Sequence, residues 1–293
     1  MLLLTGATGL VGSALVHRLT AAGRPVRCLV RDPRRLGDQR VRVQIALGDL
    51  ADPPSFRNAL RGVRTVVHLA APIRDQPTGS IEELNAVATW RLVEAARRAG
   101  VEHFVFFSAQ AASTHSRARF MRAKALAEEA VAESGMAHTI LAPSIVYAPG
   151  DPFLTMIARL ALLPAVPLSG RGQARFQPIW AQDVADCTMA VIDQPALGSA
   201  ARHELSGPDT LRYEEIVALA LRAQGRPRPL VRIPLAIVSR ALRATEALMK
   251  SSAPVTWDEA ELLEVSRVST TGTDGARSLG VEPRRMADVL RGS

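Results

Sequence analysis

The 293-residue sequence contains few cysteines, few lysines and few aromatic residues. Its two cysteines, Cys28 and Cys187, are too few and too far apart in the chain for a disulfide framework or a zinc site. No apolar run reaches the roughly 18 residues that a membrane-spanning helix requires. A short apolar strand is predicted from Leu2, which leaves no room before it for a secretory signal. We therefore expect a protein of the reducing cytoplasm.

The formal net charge of +8 suggests an anionic partner, but the distribution of the basic residues argues against nucleic acid. Lysine occurs only at Lys124 and Lys250, so the other 34 of the 36 basic residues are arginines, scattered over many segments. Only seven Phe, three Trp and two Tyr are present for base stacking. We predict no nucleic-acid partner.

The first twelve residues carry the strongest motif of the chain. Residues 2–4 form an apolar strand, glycines follow at Gly6, Gly9 and Gly12, and residues 10–19 have the pattern of an amphipathic helix. A glycine turn between a strand and a helix lets a pyrophosphate approach the backbone, and the helix N-terminus offers free N–H groups. An ordinary glycine-rich turn is the alternative, but this position in the chain favours a dinucleotide site.

The end of the second predicted strand, residues 25–30, bears on the choice of dinucleotide. An acidic residue there would bind the ribose 2′-hydroxyl of NAD(H), whereas the arginine found, Arg31, suits the 2′-phosphate of NADP(H). Arg34 and Arg35 add positive charge. The adjacent acidic residue Asp32 leaves NAD(H) as an alternative cofactor, but we predict that NADP(H) is favoured.

Strands and helices alternate along the first half of the chain. Strands are predicted at residues 41–47, 65–69 and 104–107, and helices at 53–60, 80–99 and 118–133. Right-handed crossovers at this spacing predict an α/β fold, a Rossmann-type doubly wound parallel sheet with a smaller C-terminal substrate lobe. The carboxyl ends of such strands bind ligands. Five candidate residues fall there: Gly6, Arg31, Asp49, Ala71 and Ser108.

We assign residues 1–148 to the dinucleotide-binding domain, completed by about 174–206, and residues 149–173 and 207–293 to the smaller lobe. Within these regions, the apolar stretch 153–168 is interpreted as a substrate lid and residues 176–180 as a further sheet strand, and Asp183 is predicted to cap a helix.

The second half ends in a proline-rich stretch and a basic helix. Pro227, Pro229 and Pro234 predict a stiff connector. The pattern of residues 235–250 predicts an amphipathic helix with Arg240, Arg243 and Lys250 on its polar side, suited to a membrane surface or a protein complex, or to packing on the smaller lobe.

Together these motifs resemble the short-chain dehydrogenases/reductases of the extended or atypical type, which are NAD(P)-dependent epimerase/dehydratase-like proteins. The resemblance covers about the first 225 residues, and it is nearest to the NADPH-binding accessory subunit of respiratory complex I and to the nitrogen-metabolite-repression regulators. The motifs that carry it are Thr5-Gly6-Ala7-Thr8-Gly9-Leu10-Val11-Gly12, Val30-Arg31-Asp32-Pro33, Gly48-Asp49-Leu50, His68-Leu69-Ala70-Ala71, Phe106-Phe107-Ser108, Pro143-Ser144-Ile145-Val146-Tyr147, Pro178-Ile179-Trp180-Ala181-Gln182-Asp183-Val184-Ala185 and Leu205-Ser206-Gly207-Pro208.

The resemblance and the glycine pattern assign the cofactor-binding residues. They are Thr5, Gly6, Thr8, Gly9, Leu10, Val11, Gly12, Arg31, Arg34, Asp49, Leu50, Leu69, Ala70, Ala71, Ser108, Lys124, Pro143, Ser144 and Ile145.

The resemblance also implies the catalytic residues, and here the sequence departs from the family. Family members use a Tyr and, four residues later, a Lys; Lys124 matches the Lys, but Phe120 stands in place of the Tyr. Ser108 matches the residue that orients the substrate oxygen, and Asn85 matches an asparagine of the proton relay. His115 is a candidate replacement acid, with a surface histidine as the alternative. A second departure is Ala142, where many relatives carry Arg.

Two functions remain open from the sequence. One is an NADP(H)-dependent reductase, dehydrogenase or epimerase acting on a small, apolar molecule. The other is a non-catalytic NADP(H)-binding sensor, assembly factor or structural protein of a respiratory or quinone-pathway membrane complex. The sequence leaves the oligomeric state open; the two helices that flank the Ser108 strand form a common dimer surface in relatives, so a homodimer through them is one alternative.

Overall fold

The computed structural model describes residues 1–198, 201–234, 238 and 261–292. Its main feature is a seven-stranded parallel sheet in the order β11-β6-β5-β4-β1-β2-β3. The chain passes from one side of β1 to the other between β3 and β4, and doubly wound sheets bind ligands at such a reversal. The predicted Rossmann-type fold is confirmed. The sheet strands are β1 (Leu2–Thr5), β2 (Val26–Val30), β3 (Gln44–Leu47), β4 (Thr65–His68), β5 (His103–Phe107), β6 (Ala137–Pro143) and β11 (Ala201–Leu205).

Six shorter strands pair in twos outside this sheet. They are β7 (Val146–Tyr147), β8 (Val166–Ser169), β9 (Arg175–Phe176), β10 (Ile179–Trp180), β12 (Leu211–Arg212) and β13 (Leu230–Ile233).

Helices cover both faces of the sheet and continue into the second half of the chain. They are α1 (Leu10–Ala21), α2 (Pro53–Phe56), α3 (Ala88–Arg98), α4 (Arg119–Ala132), α5 (Pro152–Leu160), α6 (Ala181–Asp193), α7 (Pro195–Gly198), α8 (Tyr213–Ala223), α9 (Asp274–Arg277) and α10 (Met286–Arg291), with 3-10 turns at Pro33–Val41 and Arg57–Leu60 and a π-helical segment at Glu83–Val87. In the described part of the chain, no helix is long and apolar enough to span a membrane.

The alternation of side chains along the strands builds two cores. On β1, Leu2 and Leu4 pack into the cluster beneath α1 and α6, whereas Leu3 packs into the cluster beneath α3 and α4. On β5, Phe106 belongs to the second cluster and Phe107 to the first. Because side chains point alternately to the two faces, almost continuous apolar strands are what a sheet covered on both faces requires.

A third apolar cluster lies in the second half of the chain. It joins α5, β8, α8 and α10 around the buried Phe176. The apolar stretch 153–168 is part of this core, because Leu154, Ile157 and Leu168 are buried in it. None of the described residues from 153 to 168 is among those that line the cavity at the glycine loop, so the lid stays a prediction.

Residues 176–180 do not form a strand of the main sheet, contrary to prediction. Phe176 ends β9, which pairs antiparallel with β12, and Ile179 begins β10, which pairs parallel with β7. Pro178 lies between them, and because proline has no backbone N–H it interrupts a strand ladder. The seventh strand of the sheet is β11 instead.

Asp183 does not cap α6, which is a second correction. It lies in the first turn of the helix, and Trp180 holds the N-cap position without a side-chain hydrogen bond. The Asp183 carboxylate is buried and accepts a hydrogen bond from the backbone N–H of Arg284 at 2.8 Å. The acidic side chain therefore ties the C-terminal segment to α6.

The proline-rich stretch also differs from a plain connector. Between Pro229 and Pro234 the chain forms β13, which pairs parallel with β8.

The third strand of the sheet begins at Gln44 rather than Val41, which ends a 3-10 turn. The predicted helix 235–250, with Arg240, Arg243 and Lys250, lies outside the described residues.

Candidate dinucleotide-binding and active site

A cavity of about 730 Å³ opens at the carboxyl ends of β1, β2, β4 and β5. Most of the predicted cofactor residues line it, brought together from segments far apart in sequence. These are Thr5, Gly6, Thr8, Gly9, Leu10, Val11, Gly12, Arg31, Asp49, Leu50, Leu69, Ala70, Ala71, Ser108 and Pro143. The sequence analysis missed Gln76 and Leu84, which also line the cavity.

The glycine loop leaves no space for side chains at two of its glycines. Gly6 has φ +73°, and a Cβ there would lie 2.6 Å from the backbone nitrogen of Ala70. A Cβ on Gly12 would lie 2.1 Å from the carbonyl oxygen of Gly6. Gly9 is the N-cap of α1, with no side-chain cap and no acidic residue in the first turn of the helix. The helix N-terminus therefore keeps free N–H groups and a positive partial charge, as an anion site needs.

The end of β2 places two of the three arginines named from the sequence at the cavity. Arg31 lines it, with Nη1 3.9 Å from Asp49 Oδ2. Arg35 also lines it, whereas Arg34 is not among the described lining residues. Arg34 instead pairs with Asp32, a further lining residue.

Asp49, one of the predicted cofactor-binding residues, is held at the edge of the cavity. Its Oδ1 accepts a hydrogen bond from the backbone N–H of Ala51 at 2.9 Å. The backbone N–H of Asp49 donates to Ser55 Oγ at 2.9 Å. These bonds fix the carboxylate at the carboxyl end of β3.

Ser108 follows β5 and lines the cavity. Its side chain is buried, and within the described residues its Oγ has no hydrogen-bond partner. Because a buried hydroxyl without a partner is costly, the Ser108 Oγ is available to a hydrogen-bond partner in the cavity, either a ligand oxygen or water. The placement agrees with the orienting role that the resemblance implies.

Asn85 lies in the π-helical segment Glu83–Val87. Its Nδ2 donates to the carbonyl oxygens of Pro72 at 2.9 Å and Ile81 at 2.8 Å. Its buried Oδ1 accepts no hydrogen bond from any described residue. Single π turns inside helices often mark functional sites, and this one leaves an unsatisfied acceptor at the cavity end of α3.

Lys124 is fully buried on α4 and does not line the cavity among the described residues. Its Nζ lies 4.3 Å from the ring centroid of Phe106 and 6.0 Å from that of Phe120. Burial in these apolar surroundings lowers the pKa of Lys124 to about 7. The ring faces give the cation only a weak substitute for water.

Phe120 lies one helical turn before Lys124, buried against Ile81 and Met121. His115 is exposed, and its Nδ1 lies 3.3 Å from Thr114 Oγ1. Within the described chain His115 is not among the residues that line the cavity, so the structure does not bring this candidate acid to the site.

His68 forms a hydrogen-bonded chain that the sequence analysis did not find. Its Nδ1 lies 2.6 Å from Thr5 Oγ1, and its Nε2 lies 2.9 Å from Thr89 Oγ1. Thr89 Oγ1 donates to the Asn85 carbonyl oxygen at 2.5 Å, so His68 Nε2 must be the donor to Thr89 and Nδ1 the acceptor from Thr5. Burial, and then the charge of Lys124, lowers the pKa of His68 to about 3, so the ring is neutral. This series of hydrogen bonds connects Thr5, at the start of the glycine loop, to Asn85 in the π-helical segment.

Ser144 and Ile145 lie behind the cavity rather than on it. Ser144 Oγ accepts a hydrogen bond from the backbone N–H of Gln177 at 3.3 Å. Ile145 packs against the third apolar cluster. Neither is among the described lining residues, although the preceding Pro143 is.

Comparison with known proteins places this site in a family. The family model described as the NAD dependent epimerase/dehydratase family matches residues 2–204. An NAD(P)H azoreductase of Xenophilus azovorans is 30% identical over 243 residues, covering 83% of this chain and 80% of that protein. The mitochondrial NADH dehydrogenase (ubiquinone) 1 alpha subcomplex subunit 9 of Rattus norvegicus is 27% identical over 302 residues, covering 98% of this chain and 78% of that protein. The resemblance drawn from the motifs is confirmed.

Solved structures show the same fold. A nucleoside-diphosphate-sugar epimerase from Staphylococcus aureus aligns with a TM-score of 0.78, 21% identity and coverage of 99% of each chain. The similarity therefore extends over both halves of the chain.

Proposed function

This chain belongs to the NAD-dependent epimerase/dehydratase family, whose members bind NAD(P), and we propose that it binds NADP(H) and uses it to reduce a small, apolar substrate. One observation carries the proposal: the cavity combines a glycine loop that a Cβ would fill with Arg31 and Arg35 at the end of β2. The cradle fits a pyrophosphate, and the arginines fit a 2′-phosphate.

Each part of the cavity has a role in this proposal. Residues 6–12 bind the pyrophosphate, Arg31 and Arg35 bind the 2′-phosphate, and Asp49 accepts from the adenine amino group. The bound NADPH supplies a hydride. Ser108 Oγ donates a hydrogen bond to the substrate oxygen and orients it. With a phenyl ring at position 120, the proton comes from water, which predicts slow turnover.

A titration with NADPH, NADH and their oxidised forms tests the cofactor proposal. We expect NADPH to bind at least tenfold more tightly than NADH, because only NADPH carries the dianion that the two arginines complement. Equal affinities would contradict the preference. No binding of either would remove the proposal altogether.

A non-catalytic role is the second candidate, and Phe120 favours it. The family's tyrosine donates a proton, which a phenyl ring cannot do, and the similar rat protein is by its name a subunit of a respiratory complex. NADPH oxidation with quinones, aldehydes and ketones, in the native chain and in Phe120→Tyr, separates the two candidates. Turnover by the Tyr variant alone supports a binding or structural role, and turnover by the native chain supports the reductase.

The proposal also assigns roles to the part of the chain that contains the third apolar cluster and to the basic segment 235–250. We propose that residues 149–173 and 207–293 form the lobe that shapes the substrate end. We further propose that residues 235–250 contact an anionic membrane surface or a protein complex. Binding to anionic liposomes with Arg240 and Arg243 changed to Glu tests the membrane contact, and unchanged binding would remove it.

A further inference from the structure

We propose that Arg34 determines cofactor preference indirectly, by holding the Asp32 carboxylate so that it does not oppose the 2′-phosphate. The inference rests on the proposed NADP(H) binding and deepens it. It assigns Arg34 a positioning role in place of the direct phosphate contact that the sequence suggested.

The geometry of residues 32–34 carries this inference. Asp32 Oδ1 accepts from both the backbone N–H and Nε of Arg34, each at 3.0 Å, and Oδ2 accepts from Nη2 at 3.2 Å. Both carboxylate oxygens are thus engaged by one arginine, and Pro33 between the two residues restricts the backbone of the turn. Such a two-point contact is more specific than a single exposed ion pair.

The two partners differ in their relation to the cavity. Asp32 lines it beside Arg31 and Arg35. The Arg34 side chain is 84% exposed and is not among the described lining residues. The arginine therefore reaches the site only through the carboxylate that it holds.

An unrestrained carboxylate at position 32 would favour NAD(H) over NADP(H). Asp32 immediately follows Arg31, and an acidic residue at the end of the second strand accepts a hydrogen bond from the 2′-hydroxyl of NAD(H). The same charge repels a 2′-phosphate dianion. At a separation of about 7 Å in a water-like dielectric, this repulsion corresponds to roughly a five- to tenfold loss of affinity.

A double-mutant cycle with NADPH tests the inference. The variants are Arg34→Ala, Asp32→Asn and the pair, with Arg40→Ala as a matched control. Arg40 is an exposed arginine of the same 3-10 segment and is not among the described lining residues. Thermal unfolding without cofactor verifies that each variant is folded, and Asn keeps the ability to cap the turn.

We expect Arg34→Ala to raise the Kd for NADPH about fivefold, and Arg40→Ala by less than twofold, at low ionic strength. The Kd for NADH should stay the same or fall. In the Asp32→Asn background, Arg34→Ala should raise the Kd for NADPH by no more than Arg40→Ala does.

Two results would overturn the inference while leaving NADP(H) binding intact. If Arg34→Ala raises the Kd for NADPH by the same factor in the Asp32→Asn background as in the native chain, Arg34 contacts the phosphate directly. If Arg34→Ala and Arg40→Ala have equal effects, the contribution is general charge. Failure of the native chain to bind NADPH would refute the proposed function itself.

Discussion

Two glycines at the start of α1, the N-cap Gly9 and Gly12 in the first turn, differ sharply in the space around them, and the effect of this difference on stability can be measured. A Cβ on Gly12 would lie 2.1 Å from the Gly6 carbonyl oxygen, but the nearest atom to a Cβ on Gly9 is 3.3 Å away. We expect Gly12→Ala to lower the free energy of unfolding by roughly 1–3 kcal/mol, because overpacking displaces backbone. Gly9→Ala, in extended backbone, should cost less than about 1 kcal/mol. Urea denaturation without cofactor measures both, and equal costs would contradict the packing argument.

The buried Lys124 predicts a pH-dependent stability. Its pKa is about 7 in the folded protein and near 10.5 when unfolded. Between these values the unfolded chain binds a proton that the folded chain lacks, so stability rises with pH, and the cost of burying the ammonium is complete below pH 7. Lys124→Met should therefore raise the thermal midpoint at pH 6 by on the order of 5 °C, and much less at pH 10. A midpoint that falls at pH 6 would show that the contacts with Phe106 and Phe120 outweigh the burial cost.

At the scale of residues, local motifs were read more accurately than long-range contacts. The glycine loop and Ser108 could be placed at the cavity because strand ends and loop spacing are local properties. Of Arg34 and Arg35, both named from the sequence, only Arg35 is among the described lining residues, since which of two adjacent side chains faces a cavity depends on a turn that the sequence does not specify. The His68 chain was missed because its hydrogen bonds join Thr5 and Thr89, which only the folded sheet brings together.

At the scale of elements, one arginine ties the start of α4 to the loop that covers one end of the cavity. Arg119 donates to Glu82 at 2.6 and 2.8 Å and to Asp75 at 3.1 Å, and Asp75 in turn accepts from the backbone N–H of Ile81 at 2.8 Å. Between Pro72 and Ile81 this loop contributes Gln76 to the cavity lining.

We expect Arg119→Gln to lower the free energy of unfolding by about 1–2 kcal/mol, because it breaks a two-carboxylate network rather than an isolated pair. Hydrogen exchange at the Ile81 amide should accelerate, and the Kd for NADPH should rise two- to fivefold. Arg97→Gln, which removes an exposed pair with Glu94 on α3, is the control and should cost under about 0.5 kcal/mol. Equal costs for the two variants would show that the network holds the loop no better than a surface pair.

Helices and strands of the first half followed their apolar periodicity, but three details, one in the first half and two in the second, could not be predicted from the sequence. A π turn at Glu83–Val87 adds one residue to a turn without altering the apolar pattern, so no signal reveals it. Asp183 has the composition of a cap, yet a distant backbone N–H determines its role. The two-residue strands around Pro178 exist only because partners from elsewhere in the chain lie beside them.

At the scale of the whole molecule, alternating strands and helices were enough to predict the doubly wound sheet. The crossover rule leaves few arrangements for such a pattern. The closure of the third apolar cluster was not predicted, since it joins α5 (Pro152–Leu160) to α8, which begins at Tyr213, and to α10, which begins at Met286. The packing of the apolar stretch 153–168 into this cluster could not be predicted for the same reason, because its partners on α8 and α10 are distant in sequence.

The homodimer alternative has a specific surface in this fold. Apolar side chains are exposed on the neighbouring helices α3 and α4 and on the π segment before α3: Trp90 is 54%, Leu126 47% and Val87 38% exposed. Exposed apolar side chains on elements that pack together favour a protein partner, and we infer that a two-fold axis along α3 and α4 would bury these side chains against a second copy.

We therefore expect Trp90→Glu to convert a dimer to a monomer in sedimentation velocity at tens of micromolar, because two buried carboxylates would face each other across the axis. Leu162→Glu is the matched control: Leu162 is 70% exposed but lies after α5, away from this surface, and its variant should remain a dimer. A native chain that sediments as a monomer, or a Trp90→Glu variant that stays dimeric, would rule out this surface. A dimer formed through this surface would also restrict the motion of α4, which carries Lys124 and Phe120. The monomeric variant should therefore show faster amide hydrogen exchange along α4.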